Sequence, residues 1–288
     1  MQRQRIGEAA IWMSGWLTAT LGMTIAGREL GKVVSVYEIM MLRSLIAIVI
    51  LTPIVMINGG LRGRLTQWKL HVWRNIIHYG GQYAWFSALL LIPLAEMIAI
   101  EFTMPLWIAV LAAGFLGERL YGVKVAALII GFGGVLMIAK PGASLQAGHL
   151  VALGAALLFA CSVTLTKFIT RRDSALTVIF LMFTMQSVIG EVLAWLTWTW
   201  PPASSYVWIA VVGLAGTGSH YCLSRAISLA DATVVMPMDF LRLPLTAVLG
   251  YLIYQEGVDV WSVAGGVMIL AANTINLIMA RDAKGAAK

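Results

Sequence analysis

The feature that most constrains this chain is an internal repeat, which returns at a constant offset of 138 residues. The second copy aligns with the first without a gap, and several equivalent positions carry the same or a similar residue: Tyr83 and Tyr221, Ala88 and Ala226, Glu101 and Asp239, and Glu118 and Glu256. A duplication on this scale predicts two similar structural units that pack against each other. In a strongly apolar chain, two such units are typical of membrane transporters.

The composition and the spacing of apolar segments indicate a membrane protein. Of the 288 residues, 60% are hydrophobic and only 11% are charged, whereas soluble proteins carry roughly 25% charged residues. Segments of about 20 apolar residues, each long enough to cross the hydrocarbon core as a helix, recur along the chain. They predict ten transmembrane helices: 8–27, 35–57, 70–91, 95–116, 120–139, 148–170, 175–198, 205–229, 233–255 and 260–281. We therefore expect an all-α membrane protein with one five-helix repeat in 1–140 and a second in 141–288.

Positively charged residues are concentrated on one side of the predicted helices. If the N-terminus is inside, fifteen cations lie on the inner side: Arg3, Arg5, Arg62, Arg64, Lys69, Arg74, Arg119, Lys124, Lys167, Arg171, Arg172, Arg225, Arg281, Lys284 and Lys288. The outer side has only Arg28, Lys32 and Lys140. This asymmetry predicts cytoplasmic N- and C-termini in a bacterial inner membrane. Because topology accounts for the net charge of +7, we expect the lipid bilayer as a partner and no nucleic acid.

The odd number of helices in each repeat predicts that the second copy is inserted upside down. Glu118 is then on the cytoplasmic side, and its counterpart Glu256 is on the outer side. The stretch from Lys140 to Ser144 contains helix breakers and is predicted to join the two units. Inverted copies are related by a pseudo-twofold axis in the membrane plane, and a solute site is expected where they meet near the midplane.

Short motifs in both copies resemble the EamA family of the drug/metabolite transporter superfamily. The motifs are Ala88 through Pro93, Pro105, Gly117 through Leu120, Ala226 through Pro244, Gln255-Glu256 and Val263 through Gly266. The resemblance covers nearly the whole chain and implies a ten-helix carrier that works by alternating access without ATPase machinery. Members of that family move amino acids and related metabolites, vitamins or nucleotide derivatives, so the resemblance leaves the solute open.

Five charged residues lie deep inside predicted helices: Arg43, Glu101, Glu191, Asp239 and Arg242. A charge in the bilayer core costs about 2.5 kcal/mol or more, so such residues face a partner or a cavity. Asp239 and Arg242 are three residues apart on one helix and can neutralise each other. Alternatively, they line a cavity in which Arg242 binds a carboxylate or phosphate through its planar fork.

The acids that recur in both repeats also have two interpretations. Arg43 and Glu101 lie at comparable depths, so they are expected to pair, with Glu191 as a competing partner for Arg43. Paired acids have a structural role. If Glu101 or Asp239 is unpaired in the empty carrier, burial favours its protonated form and lets it carry a proton, so protons are a candidate coupling partner.

The third predicted helix carries a polar stripe. Asn75, His78, Gln82 and Trp85 recur at three- and four-residue spacing and share one face. Since lipid leaves such groups unsatisfied, the stripe is predicted to face the interior, either to form hydrogen bonds between helices or to line a cavity. Neighbouring and repeat-equivalent positions add further cavity candidates: Tyr83, His220 and Tyr221. No metal or other cofactor is expected, because neither histidine has suitably spaced companion ligands.

Aromatic residues and prolines complete the candidate site. Trp16 and Thr20 in the first helix and Trp107 in the fourth are candidates for the cavity wall, although tryptophans also anchor membrane proteins at the interface. Prolines inside helical segments favour bends, which serve either as hinges or as packing kinks: Pro105, Pro237 and Pro244. Glycine-rich stretches at 131–134 and 265–266 predict close helix packing, either within a monomer or in a homodimer.

These features predict a secondary transporter of small organic metabolites, and they favour export of amino acids or similar zwitterions. An uptake carrier for a nucleoside-like or vitamin solute, stacked on the tryptophans, is the alternative within transport. A membrane enzyme acting on lipid headgroups requires clustered His, Asp and Glu or a metal motif at a membrane face. The sequence shows no such cluster, so no enzyme is expected. A non-transporting channel or receptor is not favoured, because it does not require a pseudo-symmetric cavity with two equivalent acids.

Overall fold

The computed structural model describes residues 5–58, 67–116, 122–139, 146–230 and 232–286. These residues form twelve α-helices: α1 (Ile6–Leu30), α2 (Val36–Ile57), α3 (Trp68–Leu91), α4 (Leu94–Glu101), α5 (Met104–Leu116), α6 (Gly122–Ala139), α7 (Ala147–Ile169), α8 (Ala175–Trp195), α9 (Tyr206–Leu229), α10 (Ala232–Asp239), α11 (Arg242–Tyr254) and α12 (Val260–Ala286). A 3-10 turn at Ala203–Ser205 precedes α9, and the described ranges contain no strand. The predicted all-α class is confirmed. The motif at 117–120, with Glu118, and the predicted linker at 140–144 lie outside these ranges.

The helices repeat with the same offset as the sequence. α1 to α6 correspond in order to α7 to α12. The short elements match in length as well as position, because α4 and α10 both have 8 residues and α5 and α11 both have 13. The duplicated sequence therefore produces a duplicated path of the chain.

Most of the helices can cross a membrane. By length and apolar composition, 8 segments of the described chain qualify: α1, α2, α4 with α5, α6, α7, α8, the 3-10 turn with α9, and α10 with α11. The apolar part of α12, Val260–Asn276, is a shorter candidate. α3 is not among these segments although it has 24 residues, because polar side chains such as Lys69, Arg74 and Asn75 lower its hydropathy. The chain is a multi-pass membrane protein.

Two of the predicted transmembrane helices are interrupted. The predicted segment 95–116 consists of α4 and α5, and the predicted segment 233–255 consists of α10 and α11. Pro105 and Pro244 lie in the first turns of α5 and α11, where a proline removes no intrahelical hydrogen bond. The prediction that these two prolines sit inside continuous helices is wrong, whereas Pro237 does lie inside α10.

The most extensive packing is between the two halves. α1 packs on α9, and α3 packs on α7. Because α1 corresponds to α7 and α3 to α9, each of these contacts is the repeat equivalent of the other. α2 packs on α8, and α6 packs on α12, so each of these helices contacts its own repeat equivalent. Exchanging the two halves therefore leaves the pattern of these contacts unchanged.

Hydrogen bonds at the helix ends show the direction of this packing. Near the start of α2, Glu38 Oε1 accepts a hydrogen bond of 2.7 Å from the backbone N–H of Thr199, which follows the end of α8. At the start of α1, the backbone N–H of Arg5 donates to the carbonyl oxygen of Leu229, the last residue of α9, at 3.1 Å. α2 and α8 are therefore antiparallel, and so are α1 and α9.

The seam between α6 and α12 is made by glycines. A Cβ added to Gly134 would lie 2.6 Å from the carbonyl oxygen of Gly265, and a Cβ added to Gly131 would lie 3.2 Å from the Cβ of Ala272. Later residues of α6 thus face earlier residues of α12, so this pair is also antiparallel. The close approach confirms the prediction of glycine packing and places this part of it within one protomer.

The apolar core holds the end of α4 deep in the bundle. Met97, Ile98 and Ile100 of α4 are fully buried, and they belong to the same cluster as Phe86 and Leu89 of α3. The last residue of α4 is consequently presented inside the protein.

Candidate substrate-binding site

The two helix interruptions bring two acids onto one arginine. Glu101 is the last residue of α4, Asp239 is the last residue of α10, and Arg242 is the first residue of α11. Arg242 Nη2 donates to Glu101 Oε1 at 2.9 Å, and Arg242 Nε lies 3.5 Å from Asp239 Oδ1. The side chains of Arg242, Glu101 and Asp239 are only 7%, 15% and 17% exposed, respectively. With both acids ionised, this acid cluster of Glu101, Asp239 and Arg242 has one uncompensated negative charge.

Each acid also accepts a hydrogen bond from a tryptophan. Trp85 Nε1 of α3 donates to Glu101 Oε2 at 2.6 Å, and Trp16 Nε1 of α1 donates to Asp239 Oδ1 at 2.7 Å. Hydrogen bonds to an ionised acceptor are roughly twice as strong as neutral ones. The two indoles therefore hold the carboxylates in place and supply part of their solvation.

Aromatic rings occupy the interruptions themselves. Phe102 and Phe240, which are equivalent in the two repeats, meet edge to face with their centroids 5.6 Å apart. The guanidinium carbon of Arg242 lies 4.9 Å from the centroid of the Phe102 ring. Asn273 Nδ2 of α12 donates to the carbonyl oxygen of Phe102 at 2.6 Å, which satisfies a backbone group that the interruption leaves without a helical partner.

The ion pairs in the structure differ from those predicted from the depth of each charged residue in the membrane. The prediction that Arg43 pairs with Glu101 or Glu191 is wrong, because Arg242 binds Glu101 and because Glu191 is exposed on α8. The predicted pair of Asp239 and Arg242 is present. It is not isolated, since Glu101 shares the same arginine.

Arg43 has neutral partners instead. Its Nη2 donates to Gln82 Oε1 of α3 at 2.5 Å and to Gln186 Oε1 of α8 at 3.0 Å. The guanidinium also lies 5.4 Å from the Phe183 ring and 6.0 Å from the Phe86 ring. Arg43 is 1% exposed and contacts no carboxylate in the described ranges. Gln186 is not among the residues predicted from the sequence, although an amide in the middle of an apolar segment is a signal for a buried polar contact.

The polar stripe of α3 faces the interior, as predicted. Asn75 Nδ2 lies 3.0 Å from Met185 Sδ, and His78 Nδ1 lies 3.3 Å from Ser162 Oγ. Its remaining members, Gln82 and Trp85, bind Arg43 and Glu101. The second predicted histidine, His220, packs edge to face on Phe183 with their centroids 6.1 Å apart. The stripe thus forms hydrogen bonds between helices, and its contact with a solute stays a prediction.

Arg74 has a different position from the one that its charge suggests. It was expected among the surface cations that set topology, but it is 8% exposed. Arg74 Nε donates to Thr166 Oγ1 of α7 at 3.0 Å, and Nη1 donates to the neighbouring Asn75 Oδ1 at 2.9 Å. It is a buried link between α3 and α7.

Several predicted site residues lie apart from both arginines. Tyr83 stacks on Tyr37 with centroids 4.7 Å apart, and the exposed Tyr221 meets Trp12 edge to face at 5.4 Å. Trp107 packs on a ring of α6. The hydroxyl of the buried Thr20 bonds only to the backbone of its own helix. A role in binding a solute stays a prediction for these residues: Thr20, Tyr83, Trp107, His220 and Tyr221.

A second ionic cluster joins the two repeats at one end of the bundle. Glu256, just after α11, contacts the guanidinium of Arg28 of α1 and accepts a 2.9 Å hydrogen bond from the backbone N–H of Leu94 of α4. The guanidinium carbon of Arg28 lies 4.5 Å from the ring centroid of Tyr254, and Nζ of Lys32 lies 5.1 Å from it. This Arg28–Glu256 cluster ties the first half to the end of α11. Within the described part of the chain, no group of three His, Cys, Asp or Glu residues could hold a metal ion.

Duplicated helical units with interrupted helices and buried charges at their junction define a membrane carrier. The chain belongs to the EamA-like transporter family, whose sequence profile matches residues 9–140 and 146–278. One match falls in each repeat, so the resemblance noted from the motifs is confirmed.

Relatives with named functions are transporters rather than enzymes. The S-adenosylmethionine uptake transporter of Rickettsia bellii is 25% identical over 263 residues, which cover 90% of each chain. The riboflavin transporter of Brucella anthropi is 27% identical over 79% of this chain and 83% of the relative. The pseudopaline exporter of Pseudomonas aeruginosa is 27% identical over 65% of this chain and 67% of the relative. The protein is therefore a transporter of small metabolites.

One solved crystal structure shows the same fold. It matches 96% of this chain and 98% of its own chain with a TM-score of 0.65, at 18% sequence identity. At that sequence identity, the match supports the fold and nothing about the function.

Proposed function

We propose that this protein is a secondary transporter of the bacterial inner membrane that carries an amino-acid-like zwitterion with an additional cationic centre. The observation that carries the proposal is the acid cluster, in which two equivalent acids share one arginine. Its uncompensated negative charge favours a positively charged group of the solute. Among the relatives, the transporter named for S-adenosylmethionine uptake is consistent with such a solute, since that metabolite combines an amino acid with a sulfonium.

The proposed architecture is two inverted five-helix units with ten membrane crossings. α3 is the least apolar of these helices. It can still cross the membrane because Asn75, Gln82 and Trp85 turn their polar groups towards the protein interior. The antiparallel packing of α2 on α8 and of α6 on α12 supports inversion, because a twofold axis that relates antiparallel helices is perpendicular to them. The termini are then cytoplasmic, as the positive charges predict.

The same geometry supports alternating access as the proposed mechanism. The Arg28–Glu256 cluster lies on the outer side in this topology, and it holds α1 and α4 against the end of α11. We regard it as an outer gate. A solute cation at Glu101 or Asp239 competes with Arg242, so binding changes the contacts of α11 where that helix begins. Opening of the gate at the far end of α11 is the expected response.

The test is counterflow in proteoliposomes, which detects exchange in either direction. The panel is S-adenosylmethionine, methionine and riboflavin, with and without a pH gradient. Glu101→Gln and Asp239→Asn should each slow exchange at least about tenfold, since each removes a charge-assisted contact. Glu191→Gln is the matched control, because Glu191 is an acid exposed on α8. Wild-type rates in both site variants would refute the proposed site. Proton coupling requires a pH-gradient effect that these two variants lose.

Uptake of a flavin or nucleoside-like solute is the second candidate. The observation in its favour is that the two indoles, Trp16 and Trp85, flank the acid cluster. Aromatic rings pair with other flat ring systems by offset stacking. One relative is named as a riboflavin transporter. Exchange of riboflavin that survives Glu101→Gln but not Trp85→Leu would favour this candidate.

A further inference from the structure

The environment of Arg43 is incomplete in a way that points to a ligand. Arg43, Gln186 and Tyr79 are buried, and each has a side-chain atom without a hydrogen-bond partner: Arg43 Nε, Gln186 Nε2 and the Tyr79 hydroxyl oxygen. Buried polar groups in native proteins are nearly always paired. A buried charge without a counter-charge is also destabilising. Unused donors around an unmatched cation are the features expected of an anion-binding site.

We propose that the Arg43 cluster, made of Arg43, Tyr79, Gln82 and Gln186, is the subsite for the carboxylate of the transported solute. The inference rests on the proposed function, because it concerns the other end of the same solute. Arg43 supplies the charge, and the unused N–H groups of Arg43 and Gln186 supply donors for the two carboxylate oxygens. The Tyr79 hydroxyl provides a further donor.

The charge of the cluster selects a monoanion. Arg43 has a formal charge of +1 and no acid in contact with it within the described ranges, so one carboxylate neutralises it. Arg74 is another buried cation, and it is eight residues before Gln82 and so about 12 Å away along the axis of α3. Arg74 is also engaged by Thr166 and Asn75. A doubly charged phosphate at Arg43 would leave a net negative charge in the membrane interior.

The carboxylate subsite and the acid cluster are close enough for one small solute. Gln82 binds Arg43 and Trp85 binds Glu101, and these two residues are three apart on α3, or about 4.5 Å along its axis. The Phe86 ring lies near both clusters, since its centroid is 5.0 Å from that of Trp85 and 6.0 Å from the guanidinium carbon of Arg43. A zwitterion can therefore place its carboxylate at Arg43 and its cationic group at the acid cluster, with an apolar ring beside the atoms that connect them.

The first test compares two solutes that differ by the carboxylate. Proteoliposomes are assayed for counterflow of S-adenosylmethionine and of its decarboxylated analogue, which keeps the sulfonium. Wild-type protein should prefer the carboxylated solute by roughly 10- to 100-fold, the value of a charge-assisted hydrogen bond. Arg43→Gln should abolish this preference, and Arg74→Gln, the matched buried arginine, should retain it. An unchanged preference in Arg43→Gln overturns the inference while the proposed function stands.

The second test does not depend on transport. Thermal stability of the detergent-solubilised protein is measured with methionine and with methioninamide, which has no carboxylate. Methionine should raise the melting temperature of the wild type and of Arg74→Gln more than methioninamide does, and the two compounds should have equal effects on Arg43→Gln. If the wild type carries no member of the panel and still shows this pattern, the proposed function fails and the subsite stands. Absence of a methionine effect in the wild type overturns the subsite.

Discussion

The two buried arginines of the junction, Arg242 and Arg43, have opposite surroundings. Both are buried, but Arg242 contacts two carboxylates whereas Arg43 contacts two amide oxygens. The first is held by opposite charges, so it stabilises the helix ends that it joins. The second is desolvated without a counter-charge, so it lowers the stability of the empty protein. Burial alone does not distinguish these roles, but the charge of the partners does.

The difference follows from how the repeats diverged. Glu101 and Asp239 are equivalent, so the duplication supplies an acid from each half. The arginines have no charged counterpart, since Arg242 corresponds to Met104 and Arg43 to Leu181. A symmetric pair of acids is thus combined with two cations that each occur in only one half. In the proposed site, this asymmetry provides a negative end at the acid cluster and a positive end at Arg43.

Replacement of Arg242 should lower the stability of the protein more than any other substitution considered below. Arg242→Gln leaves Glu101 and Asp239 buried without their cation, and loss of one partner of a buried ion pair costs about 3–5 kcal/mol. Denaturation in detergent at neutral pH measures the loss. Combining it with Glu101→Gln should restore part of the stability, because fewer buried charges remain unpaired. Equal stability of the single and double variants would contradict the role of Arg242 as shared partner.

The contrasting prediction concerns the same substitution at the other arginine. Arg43→Gln should keep or raise the melting temperature of the empty protein, because it removes a buried charge that has no counter-charge. Stabilisation by removal of a functional group is a common trade-off at binding sites. If Arg43→Gln destabilises the empty protein as much as Arg242→Gln, both arginines are structural and the comparison fails.

The tryptophan donors give a smaller effect. Trp85→Phe removes the indole N–H that binds Glu101 and should lower stability by about 1.5–3 kcal/mol, the range for a hydrogen bond to a charged group. Trp107→Phe is the matched control, because Trp107 Nε1 has no partner in the described ranges. Equal losses in the two variants would show that ring packing rather than the hydrogen bond is responsible.

The smallest effect on stability is expected at Tyr79. Its hydroxyl has no hydrogen-bond partner in the part of the chain that the structure describes, so Tyr79→Phe should change the stability of the empty protein by less than about 0.5 kcal/mol. Exchange of the carboxylated solute should still slow several-fold. A hydroxyl that matters for transport and not for stability would sharpen the contrast between the two clusters.

Most of the fold was predictable because the internal repeat and the lengths of the apolar segments can be read directly from the sequence. Each predicted transmembrane segment has a helical counterpart, and the offset that aligns Glu101 with Asp239 also aligns α4 with α10. The interruptions were not predictable from Pro105 and Pro244 alone. Their location depends on tertiary contacts, such as the Asn273 side chain that satisfies the carbonyl of Phe102.

The partners of the charges were less predictable than their depth. Counting residues from a helix end gives the height of Arg43 in the membrane, and at that height Glu101 is a reasonable partner. Which side of each helix faces which neighbour depends on helix rotation, and no local pattern fixes that. Rotation instead brings Gln82 and Gln186 to Arg43 and brings Arg242 to Glu101.

In the proposed architecture, two inverted copies meet and so bring equivalent acids into one site. Cysteine labelling of membrane sidedness tests this inversion. In a background with Cys161 and Cys222 changed to Ser, single cysteines are placed at Gly122 and at Gly257, two exposed positions where an added Cβ meets nothing within 4 Å. In sealed right-side-out vesicles, a membrane-impermeant maleimide should label Gly257→Cys at once and Gly122→Cys only after lysis. Labelling of both from the same side would contradict inversion.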